Sequence, residues 1–273
     1  MKLYKYTSYN AAKSIIENSN IGFNQIDRFN DPFEGKATGW GEAVPDWDKI
    51  YAQKRQQILL EARVNYRVLS LTREPLNPLM WSHYSQAYEG VVIEFNTHNA
   101  GFDSDSFVIP ASKGEVIYTR TKPPKLEQQV FKDSITSDVL KRSFLFKSQE
   151  WSYEEEVRIV CESNHLTAKL INGRPMDMYQ LPDNSIKSVY LGYNFFRPLN
   201  YILDRNNPIE SRLKHDKEIL DLYHVILSWM DRGISVKACG PKNNSWRLTE
   251  SGINRQSIQS SASKLEAKLQ QKI

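Results

Sequence analysis

Cysteine is scarce: Cys161 and Cys239 are the two in 273 residues. Two cannot build a disulfide framework, and no second His or Cys stands at the spacing a zinc site needs. Both sit in apolar, strand-like stretches and read as small buried hydrophobes. Glycine is sparse too, with 12 residues, and no group of them forms a phosphate-cradling loop. Neither a P-loop nor a dinucleotide-binding fingerprint is therefore available. No apolar run is long enough to span a bilayer, and Met1-Lys-Leu-Tyr-Lys-Tyr6 lacks the apolar core of a signal peptide. Internal repeats are absent. Together these absences point to a soluble, cytoplasmic protein kept in a reducing compartment.

Aromatics, by contrast, are plentiful, with 14 Tyr, 11 Phe and 6 Trp, and 40% of the chain is hydrophobic. That composition buries a core and is not one of disorder. The formal charge of +4 is uneven. All of the excess lies after residue 240, where Lys242, Arg247, Arg255, Lys264, Lys268 and Lys272 face Glu250 and Glu266. Such a tail suits a polyanion or an acidic partner, or is simply the solvated face of a helix.

Periodicity predicts an α+β protein with a mixed, mostly antiparallel sheet flanked by helices. Leu3–Tyr6 reads as a strand, followed by a helix capped by Thr7 or Ser8 with Ala11, Ala12, Ile15 and Ile16 on one face. Ile21–Phe23 looks extended. Arg28 to Gly35 is a tight turn, because Pro32 biases Asp31 away from helix and Asn30 and Asp31 favour turns. A helix is expected from Trp47 to residue 64, then a strand over Arg67–Thr72. Pro78 should open a helix running to Tyr88. Val91–Phe95 reads as a buried strand and Glu115–Tyr118 as a short one. One or two helices are expected over 125–146, carrying Leu126, Val130, Phe131, Ile135 and Val139. Strands follow at 166–171, 176–181 and 186–191. A long helix starts at Asn207-Pro208 and closes at Gly233, before a strand from Ile234 to Cys239 that Trp246–Leu248 pairs with. One domain over 1–240 is expected, with a basic, helical tail over 241–273 whose Ile258, Ala262, Leu265 and Leu269 stripe suits a detachable or partner-bound helix.

The most informative stretch is Trp151-Ser-Tyr-Glu-Glu-Glu-Val-Arg158, followed by Ile-Val-Cys161. Read as one strand, it puts Glu154, Glu156 and Arg158 on one face and Val157, Ile159 and Cys161 on the other. In a cleft, the two carboxylates could hold separated pKa values and do chemistry. Facing water, the row would be a weak surface ion pair.

Tyr4-Lys-Tyr6, Asn30-Asp-Pro-Phe-Glu34, Met80-Trp-Ser-His-Tyr84 with Gly90 and Glu94-Phe95, and Lys147 with Trp151-Ser-Tyr-Glu154-x-Glu156-x-Arg158 occur in this order in a bacterial family known only as domain-of-unknown-function family 2971. Residues 3–240 of this chain resemble it. The layout also resembles the ADP-ribosyltransferase fold, particularly bacterial toxins that modify nucleic acids. The first strand has Tyr where many members have His or Arg. That resemblance implies an enzyme that consumes NAD, with Glu156 stabilising the oxocarbenium-like ribose and Glu154 orienting the acceptor or acting as its base. It implies a nicotinamide-nucleotide site drawn from Tyr4, Tyr6, Asn30, Asp31, His83 and Lys147. Tyr84 or Tyr88 would stack on nicotinamide, and Arg158 or Arg28 would pair with pyrophosphate. The setting it implies is a toxin or phage-defence system, with an RNA, DNA or protein acceptor and an antitoxin or regulatory partner.

Other readings of these residues stand beside it. Met80, Trp81 and Tyr84 at helical spacing suit a core, His83 a structural hydrogen bond, and Lys147 a simple counter-charge for Glu154 or Glu156. Asp31 with Glu34-Gly-Lys36 has the composition of a Mg²⁺-dependent nuclease, although such sets usually sit on strands. A non-enzymatic interaction module is the third reading.

Overall fold

The computed structural model describes residues 1–37, 49–124, 135–171, 173–196 and 209–271. In chain order the elements are β1 (Lys2–Thr7), α1 (Tyr9–Asn18), β2 (Asn20–Phe23), α2 (Lys49–Asn65), β3 (Tyr66–Thr72), α3 (Pro78–Tyr84), β4 (Val91–Asn96), β5 (Ile117–Thr119), α4 (Ser137–Phe144), β6 (Phe146–Ser148), β7 (Glu156–Glu162), β8 (Thr167–Ile171), β9 (Arg174–Gln180), β10 (Ile186–Leu191), α5 (Ile209–Asp231), β11 (Ser235–Pro241), β12 (Leu248–Gly252) and α6 (Arg255–Gln270). The α+β class and the mostly antiparallel pairing expected from the sequence are both present. Trp47, the stretch 125–134 and Asn207-Pro208 lie outside the described residues.

The chain forms two compact units. One comprises Met1–Ser19, Glu74–Ala100 and Pro182–Ile273. Its sheet runs β12-β11-β10-β4-β1. β10 and β11 are parallel and the other neighbours antiparallel. That parallel step spans α5, since a parallel return needs a long crossover whereas a hairpin does not. The Ser8 hydroxyl accepts the Ala11 N–H to start α1, and Ala12, Ile15 and Ile16 point inward. Asn77 caps α3 and Pro78 occupies its first turn. The helix stops at Tyr84, short of the expected Tyr88, because Gln86, Ala87 and Tyr88 all adopt positive φ, at 49°, 51° and 69°. The Tyr88 N–H returns to the Trp81 carbonyl, and its ring stacks on Trp81.

The expected boundary at 240 falls inside β11, and the residues beyond it are built into this unit. β12 extends the sheet, and α6 buries Ile258, Ala262 and Leu269. Lys268 reaches Asp216 and His224 meets Glu266, tying α6 to α5. Trp246 is fully exposed and does not pair; the pairing starts at Leu248.

The other unit comprises Asn20–Arg73 and Gly101–Leu181. β3 and β7 run antiparallel, with Val68 opposite Val160, Ser70 opposite Arg158 and Thr72 opposite Glu156. A second antiparallel sheet has the order β2-β9-β8, and β5 pairs with β6 in parallel. Ile26, Val68, Ile109, Leu140, Phe144, Leu145 and Val160 make a buried cluster, each large side chain contributing about 1.5–3 kcal/mol by leaving water.

Candidate active site

β7 does not begin where periodicity suggested. Gln149–Glu154 coils as a 3-10 helix, and Glu155 turns the chain in the left-handed region at φ 44° before the strand starts at Glu156. Two interactions hold this corner. The Thr72 hydroxyl donates to the Glu154 carbonyl, and the Glu156 N–H donates to the Tyr118 hydroxyl at 2.9 Å. The far edge of β7 is covered by the segment around 109–116, where the Arg158 N–H reaches the Gly114 carbonyl at 2.7 Å. A Cβ on Gly114 would lie 2.0 Å from the Arg158 carbonyl oxygen, so only glycine allows that approach.

The strand is thus buried on both faces, and its charges must be satisfied inside the protein. The Arg158 guanidinium, 0% exposed, donates to Glu156 Oε1 at 2.8 Å and Oε2 at 2.9 Å. It also reaches Glu34 Oε1 at 2.6 Å and the Phe144 carbonyl at 2.7 Å, with the Phe29 ring beside it. The Lys147 ammonium, on β6, lies 2.5 Å from Glu154 Oε2, 3.0 Å from Glu156 Oε2 and 3.4 Å from Glu34 Oε1. The Trp151 ring stands 5.1 Å from it. All five side chains are buried, and carboxyl groups outnumber cations three to two.

Burial alone would push the Glu156 carboxyl up. The Arg158 guanidinium and Lys147 ammonium more than reverse this and hold it at about 2. Burial works to lower the Lys147 ammonium, but Glu156, with Glu154 and Glu34, raises it above its ordinary value. Glu156 is therefore a permanently ionised carboxylate and a poor proton acceptor near neutrality. It supplies fixed negative charge.

The sequence-derived candidates divide between the two units. Lys147, Glu154, Glu156 and Arg158 converge in one cluster. Asn30 and Asp31 sit in the turn that delivers Glu34 to it: Asp31 Oδ1 accepts the Phe33 N–H at 2.9 Å, and the Asp31 carbonyl accepts the Glu34 N–H. Arg28, in the same unit, donates to the Pro175 carbonyl. Tyr4, Tyr6, His83, Tyr84 and Tyr88 belong to the other unit. There Tyr6 donates to the Glu74 carbonyl and Tyr88 to the Pro78 carbonyl, while Tyr4 packs edge-on to Tyr190. Sequence reasoning missed Glu34 as a second carboxylate, beside Glu156, shared by both cations, along with Tyr118 and Gly114. Glu34 presents one oxygen to two cations; its Oε2 and Asp31 Oδ2 are buried with no hydrogen-bond partner among the described residues.

An α+β protein with a buried ion network drawn from a turn, β6 and the start of β7 is the class these features define. Residues 80–159 match the family described as protein of unknown function (DUF2971). The match runs from α3 into β7 and takes in Met80–Tyr84, Lys147 and Trp151–Arg158, so the likeness to family 2971 holds over that span. No curated protein and no solved structure gives a match. No helix among the described residues is long and apolar enough to cross a membrane.

Proposed function

We propose that this protein is an NAD-consuming ADP-ribosyltransferase with Glu156 and Glu154 as its catalytic carboxylates. The supporting observation is that Glu156 is held ionised at about 2 by Arg158 and Lys147 and shares Lys147 with Glu154. When the bond from nicotinamide to ribose breaks, nicotinamide leaves neutral with the bonding electron pair, and positive charge develops on the ribose. A fixed, desolvated carboxylate stabilises that charge without reorganising at the moment of reaction. A nucleophile of the acceptor then forms the new bond to the same carbon, and Glu154 takes its proton. By the fold resemblance, Arg28, in the same unit as the two carboxylates, is the pyrophosphate partner. Arg158 acts through Glu156, since its donors are taken up by Glu156, Glu34 and a carbonyl. The acceptor we propose is a nucleic acid, and the setting a bacterial toxin or phage-defence system.

Labelled NAD offered with RNA, DNA and a protein extract in turn tests this, with wild type and Glu156→Gln side by side. Label should pass to one acceptor and fall at least about a hundredfold in the variant. Folded wild type that releases no nicotinamide from NAD sinks the reading.

A further inference from the structure

The turn that sends Glu34 inward to the ion cluster sends its neighbour Phe33 outward. Phe33 is 60% exposed, an unusual position for an aromatic. It borders a cavity of about 190 Å³. Phe146 contributes a second ring, and Lys147, the ammonium that pairs with Glu154 and Glu156, lines the same cavity. Three further cations, Lys36, Arg120 and Lys122, stand around it, and no carboxylate lines it among the described residues. The Lys122 ammonium lies 5.7 Å from the Phe33 ring centre. Glu150 is outside the lining, is exposed, and accepts a hydrogen bond from the Ser148 hydroxyl.

Each property narrows the ligand. Three exposed cations at a cavity with no carboxylate in its lining, Glu150 standing near Arg120 from outside it, call for an anion. Two rings at the cavity call for a flat, polarisable group beside that anion. Pockets that swallow drug-sized ligands measure about 300–1,000 Å³, so this one takes a single ring system and not a whole dinucleotide. An aromatic platform flanked by cations is how proteins hold single strands without reading their sequence. We propose that this cavity is a single-nucleotide pocket for single-stranded nucleic acid, one base against Phe33 and Phe146 and the adjoining phosphates on Lys36, Arg120 and Lys122. Only in naming that strand as the acceptor does this rest on the transferase reading. The strand then lies beside Lys147, one side chain away from the catalytic carboxylates.

The test is fluorescence anisotropy of labelled single-stranded RNA and DNA oligonucleotides on the full chain, against the same sequences as duplexes. Phe33→Ala should weaken single-strand binding by about tenfold. The logarithm of affinity should fall with the logarithm of salt at a slope near 2, and Lys122→Ala should reduce that slope by about 0.7. Both side chains are exposed, so thermal melts should match wild type and separate lost binding from lost fold. Unchanged affinity in both variants, equal binding of duplex, or displacement of the strand by NAD or ADP-ribose would each overturn the pocket. Nicotinamide release from NAD without acceptor is measured in parallel. Strand binding that Phe33→Ala weakens, without nicotinamide release by wild type, removes the transferase reading and leaves the pocket standing. Release and strand labelling that Phe33→Ala leaves untouched do the opposite.

Discussion

The two units solve one problem differently. In the first, Glu94 is buried on β4 and accepts from Lys2 at 2.9 Å and from the Tyr190 hydroxyl at 2.9 Å. Lys237 continues the chain to Tyr190 and Glu250. There the long side chains reach water: Lys2 is 66% exposed and Glu250 36%. Two carboxylates face two ammonium groups, and water can replace any partner that leaves. In the second unit the five members of the Glu34–Arg158 network are buried, carboxyl groups are in excess, and no member has a substitute. Ion pairs of similar length therefore mean different things. In the open network they run across the sheet from β1 to β12. In the closed one they fix a negative charge in a place of low dielectric, which is a condition for electrostatic catalysis and a poor way to gain stability.

The most severe way to probe that contrast is to remove one cation from each network. Arg158→Met should lower unfolding free energy by about 3–5 kcal/mol, because Glu34 and Glu156 would remain buried with Lys147 alone. Lys2→Met should lose less than about 1 kcal/mol. Urea midpoints decide it, and losses of equal size would erase the distinction. Acid gives an intermediate effect. The Glu156 carboxyl, 4.5 as a free group, is held at about 2 in the fold. A depressed carboxyl stabilises the fold above its unfolded value, and that stabilisation drains away as pH falls from about 4.5 towards 2. Its size is on the order of 3 kcal/mol. Wild type should lose stability across that window more steeply than Glu156→Gln, and parallel pH profiles would show that the network is not what holds Glu156 down. The smallest effect belongs to the open network: Lys237→Ala should shift stability by less than about 1 kcal/mol, and the shift should fade at high salt.

Much of the framework was legible because its signals are local. The Ser8 cap, Pro78 at the start of α3, the apolar run of β4 and the stripe of Ile258, Ala262 and Leu269 each depend on a few consecutive residues. The misreadings were local in another sense. A single left-handed residue, Glu155, breaks the alternation that made 151–161 look like one strand, and Gln86–Tyr88 end a helix whose pattern ran on. Period-counting cannot see a one-residue turn with no glycine in it. Glu154 and Glu156 meet the same ammonium despite the wrong secondary structure, because the corner folds Glu154 back towards β6. Glu34 was out of reach for a different reason: 124 positions separate it from Arg158, and nothing in one sequence reports such a pairing. The tail's apolar stripe suited a detachable or partner-bound helix, whereas Asp216 and His224, which tie it to α5, were ordinary helix residues.

Phe33 and Glu34 are consecutive, so one peptide, about 3.8 Å between Cα atoms, joins the exposed ring to the buried charge. No insertion elsewhere in the loop can change that spacing. Descendants of this chain would be free to alter residue 33, and with it the kind of surface offered to a ligand, while residue 34 stays bound to its cations. They could not move the offered surface away from the charge. Change would thus accumulate at one codon and be purged at its neighbour, a signature that aligned relatives would display as one variable column beside one fixed one.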